Sequence, residues 1–462
     1  MVFLPTMRRL PARRLRLCMH FGPHLGPHLR RPHRALFSLA LLAAMGTQAQ
    51  TANDSPAVLS LPAAVLAATE QAPSPAAASA MARAARERAV AVAQRPDPVL
   101  RLSLDNLPVQ GADRFSTTRD FMTQRSVSVM QTFTRADKRS ARAESLEREA
   151  QAALAERSVR LAAVQQHTAI AWFERRAAEQ RRQLLHSQRA EAQRQVEAGE
   201  AALRGARATP AELITLRDGL AQLAQAQLDA DAEVNNTRRA LARWTGGPHL
   251  GPLGEPPSLA RHRLAQHSAE DRLARHPELV RLAAGVSQAE AEAVVARADR
   301  EPDWTGELMF SQRGSRYANM VSIGISLPLP WDRPQRQDRE LAARLAQAEA
   351  LRAEREDRAR EYAVQTEAWN EAWRAGLARL ALIDRDRTPL AQQRIEAALA
   401  AWRGGQGSLT AVLDARRAAL ALQMERIDVE LQTARPWARL EYLTAHEDTT
   451  AAPLSPLQGA PR

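Results

Sequence analysis

Cysteine is nearly absent, with Cys18 the only one in 462 residues. It lies before the apolar segment at 35–44, so nothing after that segment can form a disulfide, a thiolate metal site or a lipid-acceptor site. Also missing beyond residue 50 is any run of 18 apolar residues. That excludes a membrane-spanning helix and leaves strands as the means of entering a bilayer. Clustered charge of one sign is equally scarce. The formal net charge of +12 drops to +4 once the eight arginines of residues 1–50 are set aside. The remaining charges alternate in sign along the chain, which excludes the basic stripe that phosphate binding requires. No Walker loop, dinucleotide fingerprint, HExxH or nucleophile elbow occurs. His249, His262, His267 and His276 are scattered, so they offer no converging ligand set for a transition metal. The sequence reads as that of a non-enzyme with no metal site and no nucleic-acid partner.

What is present begins with an export signal over residues 1–49. A basic stretch ending Arg30-Arg31-Pro32-His33-Arg34 precedes the apolar core Ala35–Ala44, and Thr47-Gln48-Ala49 supplies a cleavage point. Thr51–Ala80 is rich in Ala, Ser and Pro and is expected to pack loosely, with a helix over Ala82–Gln94. From there the chain is built twice. The first repeat, 50–245, has alternating segments at about 99–107 and 125–133 and long helices at about 136–204 and 210–244. The second, 276–445, repeats that order with strands at about 304–312 and 320–329 and helices at about 334–403 and 408–444. A Gly/Pro-rich linker, 246–275, joins them, and 446–462 has no periodicity and is expected to be disordered. The repeats align residue by residue in their later halves: Arg204-Gly205 with Arg403-Gly404, Arg217 with Arg416, Leu223 with Leu422, Leu241 with Leu440.

The helical segments are far longer than a globular domain needs. Ala136–Arg204 contains no proline, and at about 1.5 Å per residue it would extend on the order of 100 Å. The returning segment carries Leu213, Leu216, Leu220, Leu223, Gln227, Ala230, Val234, Thr237 and Leu241 at coiled-coil spacing. Leu413, Leu420, Met424, Ile427 and Leu431 form a less regular stripe in the second repeat. Much of the remaining surface is alanine, which allows close approach but buries little area per residue, so these helices need neighbours from other chains.

The four short segments alternate apolar and polar residues. Val321, Ile323, Ile325, Leu327 and Leu329 lie on one side of their strand. In Trp304–Gln312 the outward set is Trp304, Gly306, Leu308 and Phe310, and Leu100, Leu102 and Leu104 alternate with Arg101, Ser103 and Asp105. About ten residues of this pattern is the signature of an outer-membrane strand, although a half-buried soluble sheet alternates in the same way. Four strands cannot close a membrane barrel, for which the smallest number is about eight. Closure therefore has to involve several chains.

On three segments the chain resembles the TolC-like outer-membrane efflux family. These are Ser322-Ile323-Gly324-Ile325-Ser326-Leu327-Pro328-Leu329-Pro330-Trp331-Asp332-Arg333, the helix start His276-Pro277-Glu278-Leu279, and the hairpin from Trp402 to Arg416. The proline-rich strand exit is similar to that of the cobalt–zinc–cadmium and copper efflux branch. The resemblance implies a mainly α fold with a small β part, in which long antiparallel helical hairpins and four transmembrane strands per chain build a trimeric α-barrel/β-barrel duct. It further implies a homotrimer in the outer membrane, in contact with its lipid and with the helical part in the periplasm. Its partners would be a periplasmic adaptor and an inner-membrane pump of the resistance-nodulation-division type, and it would need no cofactor. The rival is a periplasmic adaptor or another exported coiled-coil protein. An adaptor has one hairpin between two β-rich halves, whereas two hairpins and two strand pairs are present here.

Two hairpin turns follow as candidate docking tips. Gly205, Gly404, Gly405 and Gly407 permit tight reversals, and Thr209-Pro210 and Ser408-Leu409 start the returning helices. An ordinary helix–loop–helix uses the same residue types; the resemblance is what assigns them to adaptor contact. Glu212 and Asp414, just inside the returning helices, would form rings at the entrance under three-fold symmetry, though a first-turn carboxylate is also favoured by the helix dipole. Asp218 and Arg416 are placed to pair across hairpins and hold the tube closed.

Overall fold

A computed structural model describes residues 58–206, 208–247 and 251–445. The expected export signal with its cleavage point, Cys18, His249 and the tail beyond Ala445 lie outside the described residues. Two helices, α1 (Leu61–Gln71) and α2 (Pro73–Ala93), lead into strands β1 (Val99–Asp105) and β2 (Gln124–Phe133). The long pair α3 (Ala136–Arg204) and α4 (Pro210–Thr245) follows. After a linker come α5 (Ala269–Ala274), α6 (Pro277–Ala298), β3 (Trp304–Gln312) and β4 (Met320–Ser326). The second long hairpin is α7 (Gln337–Leu382), α8 (Thr388–Arg403) and α9 (Leu409–Glu441).

The expectation of loose packing over Thr51–Ala80 is wrong from Leu61 onward. Each proline there sits where a helix begins, so its missing N–H costs nothing. Ser60 caps α1 through its side chain, Pro62 is in its first turn, and Pro73 opens α2. Small residues then allow α2 to lie close on α3: Ala82 and Ala85 bury against Ala150.

The strands form one antiparallel sheet in the order β1-β2-β3-β4, so the central pair joins the two repeats. Phe133 pairs with Trp304 across that junction, their rings stacked at 4.1 Å. β1 stops at Asp105, where Asn106 turns to a positive φ of 56°. β4 stops at Ser326, ahead of Pro328, which has no amide to donate.

A π-helical turn, Ile383–Arg387, separates α7 from α8. Pro389 explains it: its ring collides with a carbonyl four residues back, and widening the turn relieves the collision. Ile383 points inward from this turn against Leu422 and Val429.

The largest core lies midway along the helices, where Trp172 and Phe173 of α3, Leu241 of α4, Trp373 of α7 and Trp437 of α9 meet α1. Here indole donors strap down the residue ahead of α1 and the linker. Trp172 Nε1 donates to Leu59 O at 3.0 Å, Trp373 Nε1 to Leu259 O at 2.9 Å, and Trp437 Nε1 to Arg261 O at 2.8 Å. Arg175 Nη2 adds a bond to Gly251 O at 2.6 Å. Leu59 and Leu253 bridge in parallel beside it.

The α4 seam buries Leu213, Leu216, Val234, Thr237 and Leu241. In α9 the deepest positions differ from the expected stripe. Val412, Ala415, Leu422 and Val429 are buried, and of the expected five only Ile427 is. That helix packs on α7 and α8 on one side and on α3 on the other, so its apolar residues are divided between two faces.

Candidate functional site

Two surfaces distinguish the molecule, one at each end. The first is the sheet. Its register lines up Leu100, Val129, Leu308 and Ile323 in one row across all four strands, and Leu102, Val127, Phe310 and Val321 in the next. Every one of these side chains is exposed, up to 80% for Ile323. The opposite face carries Ser103, Ser126 and Ser311 in one row. Ser126 and Ser311 hydroxyls lie 3.0 Å apart, and Ser126 also donates to Asp105 Oδ2 at 3.1 Å. The sheet is therefore apolar outside and polar inside, which is the reverse of a soluble half-buried sheet. Both β1 and β4 are edge strands within the chain.

At the sheet's inner end the only lysine in the sequence, Lys138, is 6% exposed. Its ammonium lies 3.3 Å from both Asp299 and Asp303 and donates to Glu301 O at 3.1 Å. It ties the start of α3 to the α6–β3 connection, where β2 passes into α3 in the first repeat and α6 into β3 in the second.

The second surface is formed by the hairpin tips. In the first, Thr209 accepts from Glu212 N at 3.3 Å while Glu212 Oε2 accepts from Thr209 N at 2.7 Å, a reciprocal capping box with Pro210 behind it. In the second, Ser408 Oγ accepts from Ala411 N at 3.1 Å ahead of Leu409. Gly205 and Gly404 have φ of −86° and −77°, which any residue can adopt. The left-handed positions are the next residues, Gly405 at φ 70° and Ala206 at φ 52°. A β-carbon on Gly407 would press on the backbone of Ala401 and Trp402 at 3.1 Å. Glycine is thus favoured at 405 by the positive φ and at 407 by the close backbone, while Gly205 and Gly404 need not be glycine.

The tips lean on one another through Val196, Leu213, Leu216, Leu409 and Leu413. Beside this contact is a cleft of about 240 Å³ lined by Gly199, Ala202, Leu399 and Trp402.

The charged candidates are placed differently from expectation. Glu212 is occupied by its cap. Asp414 is the sixth residue of α9, beyond the first turn, and lies 3.8 Å from Arg417. Asp218 accepts from Gln222 at 2.8 Å, and Arg416 donates to Glu191 of α3 at 2.8 Å. The expected Asp218–Arg416 pair is therefore absent within the protomer, because Glu191 holds the arginine first. Bonds from Arg194 and Gln195, with Arg416 adding to them, hold the Glu191 carboxyl below the usual carboxylate range.

No group of metal-ligating side chains occurs among the described residues. His262 lies edge-on to Trp373, and His276 stacks on Tyr362 at 4.3 Å. Burial, and next the nearby Arg272, push His262 down to about 4.

The sequence reading missed Ala206 and Lys138. Each had a signal: Ala206 aligns with Gly405 between the repeats, and Lys138 is the single lysine.

Long hairpins joined to a small sheet with an apolar outer face are an architecture that known outer-membrane channels share. Residues 269–446 match the family model described as outer membrane efflux protein. Among solved structures, the outer-membrane channel OprN superposes with a TM-score of 0.70 at 19% identity, covering 84% of this chain and 90% of that one. CusC gives 0.69 at 15% identity over 84% and 92%. The outer membrane protein VceC of Vibrio cholerae gives 0.67 at 18% identity over 83% and 95%. No curated protein matches in sequence. The second repeat thus carries the sequence signature of the outer membrane efflux protein family, and the described chain shares the fold of these channels over most of its length.

Proposed function

We propose that three copies of this chain close a passive duct, each adding its four strands to one twelve-stranded barrel in the outer membrane and its hairpins to a helical tube in the periplasm. The observation that carries this reading is the open sheet with its apolar outer face. Lipid cannot satisfy the backbone groups of free strand edges, so β1 of one copy has to pair with β4 of another. Among the described residues no helix is long and apolar enough to cross a membrane, and the helical part described stays on one side.

The tips at Gly205, Thr209, Pro210, Gly404, Gly405, Gly407, Ser408 and Leu409 dock a periplasmic adaptor. The adaptor in turn connects to a proton-driven inner-membrane pump of the resistance-nodulation-division type. The entrance carries Glu212 and Asp414 from each copy. The proline-rich exit of β4, Leu327–Arg333, supports a cargo of heavy-metal cations such as cobalt, zinc, cadmium or copper.

The deciding experiment introduces cysteines on the two edges, Leu102→Cys and Ile323→Cys, in a Cys18→Ser background. Oxidation of outer membranes should give a ladder ending at the trimer, while either cysteine alone should not. A product that never exceeds the monomer refutes closure by several chains. For the cargo, loss of the gene should sensitise cells to these cations, and unchanged growth on all of them removes that part.

A further inference from the structure

The two strand connections, residues 106–123 and 313–319, lie at the end of the sheet away from every helix and pack into one platform. A β-carbon on Gly314 would overlap the carbonyl oxygen of Thr118, so the second loop rests directly on the first. Asp120 accepts from the amides of Met122 at 2.8 Å and Thr123 at 3.1 Å, and Thr123 Oγ1 donates to Asn106 O at 3.0 Å. The acidic groups are thereby engaged, since the other, Asp113, lies 3.6 Å from Arg119.

Two kinds of side chain remain on the surface. Phe115, Phe121 and Met122 are at least half exposed. Around them stand guanidinium groups with no carboxylate partner among the described residues. Arg114 lies over the Phe115 ring at 4.7 Å, Arg313 lies over Tyr317 at 5.4 Å and donates only to Ala318 O, and Arg316 is exposed. Arg125 donates to Arg313 O at 3.3 Å. A loop surrounded only by water gains nothing from exposed phenylalanines. A bilayer surface, by contrast, takes aromatic rings at the headgroup level and offers phosphates that guanidinium binds with two parallel hydrogen bonds.

We infer that this platform binds the phosphates of an anionic glycolipid in the outer leaflet of the membrane, anchoring each protomer at a fixed depth. The inference rests on the proposed topology, in which the loops face outward. Zwitterionic headgroups also carry phosphate, but each brings its own cation to compensate it, so the surplus of arginine selects the multiply phosphorylated lipid.

The test titrates the detergent-purified wild-type assembly with bisphosphorylated lipid A and with the same lipid dephosphorylated, at rising sodium chloride. Binding should need the phosphates and weaken with salt. Replacing Arg114, Arg313 and Arg316 with Gln should weaken it on the order of a hundredfold, at about fivefold per charge. Equal binding of the dephosphorylated lipid, or an assembled variant that binds as tightly as wild type, overturns the inference; if the variant does not assemble, the wild-type comparison decides alone. Ser315→Cys, exposed to an impermeant thiol reagent on intact cells, separates the two readings. Labelling without phosphate-dependent binding removes the glycolipid site and leaves the duct in place. Absence of labelling overturns the outward topology and this inference together.

Discussion

Gly376→Ala should loosen the second hairpin, and restoring it should require a change on the opposite helix. Gly376 of α7 faces Thr433 of α9, which is fully buried and whose hydroxyl donates to Val429 O at 2.7 Å. A methyl at 376 would overlap Thr433 Oγ1 and sit 3.0 Å from Cβ and Cγ2. Alanine gains about 1 kcal/mol over glycine in helix propensity, whereas overpacking a filled core costs about 1–3 kcal/mol. The net effect is a loss of up to about 2 kcal/mol. Thr433→Ala alone should also destabilise, by about 1–2 kcal/mol, because it leaves a void. Combined, the new methyl fills that void, so the pair should be more stable than the sum of the singles by about 1–3 kcal/mol. The midpoint of thermal disassembly in detergent, read by gel migration at one fixed heating rate, measures all four proteins on a common scale. Strict additivity, or a Gly376→Ala protein more stable than wild type, would refute the close approach of α7 and α9.

Lys138→Met should lower the same midpoint by the equivalent of about 1–3 kcal/mol, because Asp303 and the Glu301 carbonyl lose the buried ammonium while Asp299, partly exposed, keeps Arg142 at 2.9 Å; no measurable loss contradicts the clamp. At the second tip, Gly405→Val should destabilise by about 1 kcal/mol or more because φ is positive there, while Gly404→Ala should be nearly silent, and equal effects would show that the turn is built otherwise. His262 gives a pH dependence. Its folded value of about 4 lies below the ordinary 6.5, so as pH falls the unfolded chain takes the proton first. The stability that depends on the neutral ring is complete above about pH 6.5 and is lost progressively down to about 4. Melting curves of His262→Gln should lose part of that slope, and an unchanged slope places the sensitivity elsewhere.

The sheet was legible because period-two alternation survives in Trp304–Gln312 and Met320–Ser326 with little interference, and an apolar outer face needs no partner chain to be visible. The long helices were legible from the absence of proline between Ala136 and Arg204. Proline also misled. The density of Pro62, Pro73 and Pro75 suggested a loose segment, yet each stands at a helix start, and only the capping position tells the two cases apart. The π turn was hidden because a proline in a helical pattern can end, kink or widen a helix, and local sequence does not choose among them. At the tips, glycines were read as a set, although backbone geometry favours them only at 405 and 407; Ala206 occupies the strained position without the residue type that signals it. Arg416 was matched to Asp218 by charge alone, and Glu191, separated from it by 225 residues, was out of reach of any local pattern.

The indole strap has a consequence for the order of events during folding. Its donor from α3 holds Leu59, which bridges to Leu253 of the linker, and its donors from α7 and α9 hold the linker itself at Leu259 and Arg261. That stretch cannot find its acceptor positions until both repeats have formed and docked. It therefore reports completion: the carbonyl of Leu259 is held by Trp373 of α7, and that of Arg261 is occupied only in a chain whose last long helix is already in place. A protease that cuts near Arg261 or Arg263 should distinguish finished from unfinished molecules, and chains stalled before α9 forms would be marked for removal at this one segment.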